Sequence, residues 1–203
     1  MDRSRSFRGL VNLLAAVGFL LGLPAQAQRG GLAAQQTLVD LVDRAGTIIH
    51  GHVVFARVEP HPDFPNLTTV VVTLRVKEIL KGQAGDTLTF RQYIWDLRDR
   101  TDGAGYRKGG ELLLFLTPPS EVGLSSPVGL GQGRFRLIRN AVGQRFVVNE
   151  AGNVGLFWEL RSALESRGVR LTRKQLQLLE RFQGGPLPWD ELRDLIRGLA
   201  GTS

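Results

Sequence analysis

The amino-acid sequence predicts a mainly β protein with a small α-helical region at its C-terminal end. Residues 46–150 contain six segments of strand length, separated by turns and loops rich in glycine and proline. One of them, residues 68–82, alternates apolar and polar side chains and changes phase after Val76, as a strand does when it bulges or bends. From Leu156 onward the composition shifts to Leu, Arg, Glu and Gln, which favour helices. Because strands that bend halfway are typical of small antiparallel barrels, we expect residues 46–150 to form an OB-like β-barrel.

Residues 1–27 have the pattern of a signal peptide. A basic start precedes an apolar run over residues 10–23, and an A-x-A cleavage signal ends at Ala27. The apolar run is too short and too rich in glycine for a comfortable membrane span. We therefore predict cleavage before Gln28 and a secreted or periplasmic location with no stable membrane anchor. An uncleaved N-terminal anchor is the alternative.

The net charge and the cysteine content limit the partners and the source that we expect for this protein. The chain has 26 basic and 19 acidic residues; the leader holds three and one of them, so 23 and 18 remain, a net charge of +5. The basic residues are scattered rather than interleaved with aromatic ones, so nucleic acid is not a predicted partner. There is no cysteine. Since small secreted domains commonly need disulfides, an exported chain of this length without them points to a bacterial protein.

Residues 28–45 form an N-terminal segment with one short predicted helix. Residues 37–44 carry apolar side chains at helical spacing, and Thr37 can cap the first turn. The first strand follows at residues 47–59, where Gly51 marks a bend or a close backbone approach. The residues expected on its inner face are Ile49, Gly51, Val53 and Phe55.

The second strand follows a proline-rich loop over residues 60–67. Beyond Val76 a straight strand would turn Glu78 inward and Ile79 outward. We therefore predict a bulge that returns Ile79 and Leu80 to the core. The inner face before the bulge is expected to consist of Val70, Val72, Leu74 and Val76.

The third and fourth strands are separated by a long loop. Residues 86–94 alternate as a strand, and the charged, glycine-rich residues 96–110 are expected to be exposed. Residues 111–116 form a continuous apolar run, which indicates a strand buried on both faces.

The barrel ends in a hairpin, and the C-terminal region, residues 151–203, is helical. Residues 134–139 and 144–149 are the two hairpin strands, joined by a turn at residues 140–143. The last helix covers residues 188–199 and is expected to pack on the barrel, with docking to another protein as the alternative. Its apolar side consists of Leu192, Leu195, Ile196 and Leu199.

Four segments carry a resemblance to a known family. TIIHGHVVFARVE at residues 47–59 and TTVVVTLRVKEILKG at residues 68–82 resemble the first strand pair of the netrin-like module, found in tissue inhibitors of metalloproteinases and in netrin C-termini. KGGELLLFL at residues 108–116 and GLGQGRFRL at residues 129–137 are similar to segments of uncharacterised exported bacterial proteins with the same strand plan. The resemblance implies the fold and an extracytoplasmic setting. The animal inhibitors chelate the protease zinc through an N-terminal cysteine, and this chain has none.

Three histidines are candidate metal ligands. His50 and His52 share one face of the first strand, and His61 follows across a short loop, near Glu59 and Asp63 in sequence. Zinc takes three or four such ligands, but no recognised zinc spacing is present. The alternative, which we favour, is that His50 and His52 are outward-facing polar residues of a barrel strand. No metal site and no cofactor are predicted.

No catalytic motif is visible. Residues 129–133 resemble a phosphate loop only in their glycines, because they lead into a strand rather than a helix, so a structural turn is expected. There is no G-x-S-x-G motif, and Ser120, Ser125 and Ser126 lie far from any histidine in sequence. No catalytic residue is predicted.

These observations favour an exported non-catalytic binding module for a protein or peptide partner outside the cytoplasm, such as a protease. In OB-like barrels, recognition concentrates on the loops at one mouth and on the exposed sheet face. The matching segments are residues 60–67 and 95–110, which are long and polar or rich in proline. The alternative function is a hydrolase with an unrecognised active site.

Overall fold

A computed structural model describes residues 34–94 and 105–201, and in them seven strands form one antiparallel sheet, which confirms the mainly β prediction. The predicted leader and most of the loop at residues 96–110 lie outside the described residues. The strands are β1 (Thr47–Pro60), β2 (Thr68–Lys81), β3 (Thr87–Tyr93), β4 (Glu111–Leu116), β5 (Arg134–Arg139), β6 (Arg145–Asn149) and β7 (Leu187–Pro188). The helices are α1 (Leu38–Arg44), α2 (Leu160–Ser166), α3 (Arg173–Arg181) and α4 (Trp189–Ala200), with a 3-10 helix at Leu130–Gly133.

The sheet runs in the order β3-β2-β1-β4-β5-β6-β7. Among the described residues it is not closed into a barrel, which differs from the closed form that the sequence led us to expect. The difference arises because β5, β6 and β7 extend the sheet beyond β4 instead of turning back to β3. Helices cover this half, since their apolar stripes supply the buried partner that further strands would otherwise provide. Two isolated bridges, Arg91 with Leu124 and Leu116 with Pro127, link the region after β4 to β3 and β4.

The bend predicted in β2 is present as a series of bulges. The β1–β2 register shifts in three places, which leaves Lys77 and Leu80 as extra residues in β2 and Val54 as an extra residue in β1. Leu80 is buried, as predicted. Ile79 is 40 % exposed, contrary to the prediction, because it lies beyond Arg75, where the pairing of β2 with β3 ends.

The predicted inner face of β1 is correct only for its first half. Ile49, Gly51 and Val53 are buried, but Phe55 is 44 % exposed. The extra residue Val54 reverses the phase of the strand, so that Ala56 rather than Phe55 packs against the core.

The apolar side chains form two cores on opposite faces of the sheet. The strand-side core is enclosed by β1, β2, β3 and β4, and the helix-side core lies between the sheet and the helices. β4 belongs to both: Leu113 and Phe115 face the helix-side core, and the residues between and around them face the strand-side core. All five apolar residues of β4 are buried, which confirms the prediction for this strand.

The end of the predicted exposed loop is in fact part of the strand-side core. Tyr106 is buried and its ring lies edge-on to Phe90, with centroids 5.6 Å apart. Its hydroxyl donates a hydrogen bond of 2.7 Å to Gln92 Oε1, and burial raises the pKa of Tyr106 to about 12. Composition alone hid this anchor, because the residues around it are charged and rich in glycine.

The helices are placed by caps and by their apolar sides. Thr37 forms a capping box with Asp40 at the start of α1. α4 packs against α1 and β2. No helix in the described part of the chain is long and apolar enough to cross a membrane. The four residues predicted as the apolar side of α4 are all buried, together with Trp189: Leu192, Leu195, Ile196 and Leu199.

Gly51→Ala should destabilise the protein by about 1–3 kcal/mol, because β1 and β2 approach too closely at this point for a side chain. A Cβ at Gly51 would lie 2.5 Å from the carbonyl oxygen of Arg75, a backbone atom that cannot move aside. Gly85→Ala is the matched control, since a Cβ there would meet its nearest neighbour at 3.9 Å. Urea denaturation measures both free energies of unfolding. Equal values for the two variants would contradict the close approach.

Candidate functional site

The first candidate site is the Glu111 cluster, which consists of Glu111, His50, His52, Lys77 and Arg139. Glu111 is the first residue of β4 and lies directly opposite His52 of β1. Because side chains alternate along a strand, Glu111 and His50 share the helix side of the sheet with Leu113. The cluster therefore lies where the helix-side core meets solvent.

The carboxylate of Glu111 lies within 4.0 Å of four basic side chains. His50 Nε2 lies 2.9 Å from Oε1, and Arg139 donates a hydrogen bond of 3.1 Å to Oε2. His52 Nε2 lies 3.8 Å from Oε2 and Lys77 Nζ lies 4.0 Å from Oε1, which are weaker ionic contacts. One carboxylate is thus shared by two histidines and two permanently charged side chains.

His50 is a buried residue and not the outward-facing one that we expected. Only 3 % of its surface is exposed. Its ring packs against the indole of Trp189 at the start of α4, with centroids 4.7 Å apart. The Arg145 guanidinium lies 5.9 Å from the centre of the same indole and 3.2 Å from Asp190. The helix therefore covers a face that the strand pattern alone left open to solvent.

The electrostatics fix the protonation states of the central pair. Burial lowers the pKa of His50 more than the hydrogen bond with Glu111 raises it. Burial alone would raise the pKa of Glu111, but the hydrogen bond with His50 and the nearby positive charges outweigh it, so the pKa of Glu111 is lowered. At neutral pH His50 is neutral and donates its Nε2 proton to a charged Glu111.

The structure brings together two of the three candidate metal ligands. His50 and His52 both contact Glu111, whereas His61 follows the far end of β1. Among the described residues no group of three or more His, Cys, Asp or Glu side chains could hold a metal ion. The Glu111 carboxylate is instead contacted by His50, Lys77 and Arg139, and these contacts anchor β1, β2, β4 and β5 to one another.

The second candidate site is the proline-loop surface, which consists of residues 60–67 and 120–124. His61 is buried beneath it, accepts the Asp63 backbone N–H at Nδ1 over 3.2 Å and lies 2.9 Å from the Val122 carbonyl oxygen at Nε2. Because Nδ1 accepts, Nε2 carries the proton and donates to Val122. The His61 ring packs against Phe64 with centroids 5.2 Å apart. Phe64 and Val122 are nevertheless 48 % and 41 % exposed.

The serines and glycines that we weighed as chemical motifs have structural contacts. Ser125 Oγ donates to the Thr117 carbonyl over 2.7 Å, and Ser120 Oγ accepts the Leu124 N–H over 3.1 Å. The glycine turn before β5 is the 3-10 helix at Leu130–Gly133, as expected. A Cβ at Gly133 would lie 2.6 Å from the Val128 carbonyl oxygen, so close packing explains this glycine.

Sequence reasoning missed the residues that complete both sites. Trp189 and Val122 are far in sequence from His50 and His61, which they contact, and Arg139 is far in sequence from Glu111. One signal for Glu111 was available, because it is a lone charge that begins an apolar run. A charge in that position lies where a buried strand emerges from the core, and it needs partners there.

Comparisons with protein-family models, with curated proteins and with solved structures found no match to this chain. The resemblance to the netrin-like module therefore stays a prediction.

The stability of the protein should fall as the pH is lowered from 7 to 4. The folded-state pKa of His50 lies below its ordinary value of 6.5, so as pH falls the unfolded chain binds the proton first and is favoured. The lowered pKa of Glu111 adds a further loss at more acid pH. His50→Gln keeps an N–H donor for Glu111 but cannot titrate, so it should reduce the change in unfolding free energy between pH 7 and 5.

The matched control is His52→Gln, because His52 lies on the same strand and is partly exposed. Urea denaturation at pH 7 and at pH 5 measures the unfolding free energy of each variant, and the difference between the two values gives the slope with pH. A slope in His50→Gln that equals the wild-type slope would contradict the assignment of this pH dependence to His50.

Proposed function

We propose that the protein is an exported, non-catalytic binding module for a protein or peptide partner outside the cytoplasm, such as a protease. The proposal includes an OB-like, netrin-like origin of the fold. It is supported by the bulged β1–β2 pair and by the bridge between Arg91 and Leu124, which brings the region after β4 to the edge of β3. It also includes export with removal of residues 1–27, which lie outside the described residues.

The main support for this function is that the proline-loop surface exposes two apolar side chains, Phe64 and Val122, above a buried histidine. A buried histidine uses both ring nitrogens to fix the loop and the turn. The two apolar side chains are held in exposed positions, where burial in the core does not explain them. A loop whose backbone is already fixed needs little further ordering on binding, which suits its exposed apolar side chains as anchors for a partner.

The surroundings of Phe64 fit a macromolecular partner better than a small molecule. The neighbouring residues Pro62, Asp63 and Pro65 are exposed, so the surface projects outward instead of forming a concave apolar pocket. Aromatic anchors surrounded by polar or rigid residues are typical of protein–protein interfaces. The same surface has no arrangement of nucleophile and base, since His61 is committed to backbone groups.

Phe64→Asp should weaken capture of the partner by at least ~10-fold, as expected for loss of an apolar anchor at the centre of an interface. The immobilised protein is exposed to native envelope extract and culture fluid, and the captured proteins are compared by mass spectrometry. Val142→Asp is the matched control, because Val142 is an apolar residue at the β5–β6 turn and is 79 % exposed.

Capture of the same proteins by wild type, Phe64→Asp and Val142→Asp would contradict the assigned surface. Reproducible turnover in a screen of hydrolase substrates would instead overturn the non-catalytic function.

A further inference from the structure

The outer edge of β3 offers backbone groups that the chain itself does not use. The Val76 N–H donates to the Asp86 carbonyl over 2.8 Å, and the Ile94 N–H donates to the Thr68 carbonyl over 3.1 Å. In an antiparallel pair, residues alternate between those that bond to the neighbouring strand and those that point away from it. The even-numbered residues of β3 therefore bond to β2, and the backbone groups of Thr87, Thr89 and Arg91 point outward.

Only one end of this edge is covered in the described residues. Leu124 forms a parallel bridge with Arg91, and the Ser125 N–H donates to the Arg91 carbonyl over 2.8 Å. The chain around Gly123 then forms a tight turn with Ser120 and leaves the edge. Thr87 and Thr89 keep their outward backbone groups unpaired in the part of the chain that the structure describes, and both residues are exposed.

The uncovered part of the edge lacks the usual protection against added strands. Proteins commonly block edge strands with lysine, proline or a bulge. The residues from Thr87 to Phe90 include none of these, and their pairing with β2 is regular. The segment at Leu124 shows that this edge accepts an added extended segment, because it already pairs with one at Arg91.

The positive charge of Arg75, beside the edge, favours an added segment with acidic side chains. Arg75 lies directly opposite Thr87 on β2, is exposed, and makes no ion pair with any described residue. The nearby Arg91 and Arg57 are both paired with Glu59. Arg75 therefore carries a positive charge that no described residue pairs with, and an acidic side chain on an added strand is a suitable partner for it.

We propose that the outer edge of β3 binds an extended acidic peptide segment of the partner by β-strand addition. The backbone of the segment pairs with Thr87 and Thr89, and one of its carboxylates lies near Arg75. This inference rests on the proposed binding function and names the partner's recognised element. The edge is continuous with the proline-loop surface, because Arg91 also donates to the Pro60 carbonyl over 3.3 Å and Val122 lies two residues before Leu124.

The test uses isotope-labelled protein recovered after export and an acetylated, amidated hexapeptide in which glutamate and valine alternate. In the free protein the Thr87 and Thr89 amides should exchange quickly with water, and the peptide should slow both by at least ~10-fold. Thr89→Pro should abolish this binding, because it removes an outward N–H that is not needed for pairing with β2. Thr89→Val keeps the N–H and should bind the peptide.

The charge is tested separately. Arg75→Glu should weaken binding of the glutamate peptide by ~10-fold and favour the same peptide with lysine in place of glutamate. Arg136→Glu is the control for net charge, because Arg136 is exposed on β5, away from this edge. Thermal melting shows whether each variant is folded.

Three results would overturn the proposal. The first is that the peptide leaves both amides of the folded wild-type protein unprotected, and the second is that it binds Thr89→Pro as well as wild type. The third is concentration-dependent self-association that Thr89→Pro abolishes, since it would assign the edge to a second copy of the chain. Capture of a partner that depends on Phe64, together with any of these results, would leave the binding function standing and remove only the β3 edge from it.

Discussion

The burial of β4 on both faces determines how the other strands and the helices are arranged around it. Its apolar residues alternate between the strand-side core and the helix-side core, so neither face can be left to solvent. A strand of this kind needs a covering layer on each side. On one side β1, β2 and β3 coil around it with Phe90 and Tyr106, and on the other side α1 and α4 supply the cover. The long, bulged β1–β2 pair follows from this arrangement, because β1 must also serve both cores.

Glu111 marks the point where β4 leaves this enclosure. A carboxylate at the boundary of a core loses part of its hydration, and its neighbours must compensate for the loss. Here His50 and Arg139 provide hydrogen bonds, and the indole of Trp189 packs against His50. The cluster thereby links the first turn of α4 to β1, β4 and β5. Its contacts are those of a structural anchor, while the exposed apolar residues that we propose as a binding surface lie beyond the other end of β1.

The sequence was sufficient to predict the elements that have a regular pattern over their whole length. β4 was identified as doubly buried from its continuous apolar run, and the inward side of α4 from the spacing of Leu192, Leu195 and Leu199. The failures occur where the pattern is interrupted. One extra residue at Val54 reversed the phase of β1 and exposed Phe55, and no residue type in the sequence marks such a bulge.

The candidate sites could be predicted only in part, for a related reason. His50 and His61 were visible as unusual residues, but what each one does depends on distant parts of the chain. The ring of His50 packs against Trp189, and Nε2 of His61 lies against the Val122 carbonyl oxygen. Contacts between residues this far apart leave no local pattern. The open edge of β3 is another such case, because the alternation of Thr87 and Thr89 is that of any strand and only the sheet order shows which strand lies at the edge.

If both faces of β4 must stay covered, β4 couples the two cores into one cooperative unit. Native-state hydrogen exchange of Leu114→Ala tests this coupling, because Leu114 faces the strand-side core whereas Leu195 and Ile196 of α4 lie in the helix-side core. The cavity should cost about 2–5 kcal/mol of global stability. If β4 couples the cores, the amides of α4 should exchange faster by the same free energy as those of β2 and β4. Faster exchange confined to the strands around the strand-side core, with α4 unchanged, would contradict the claim.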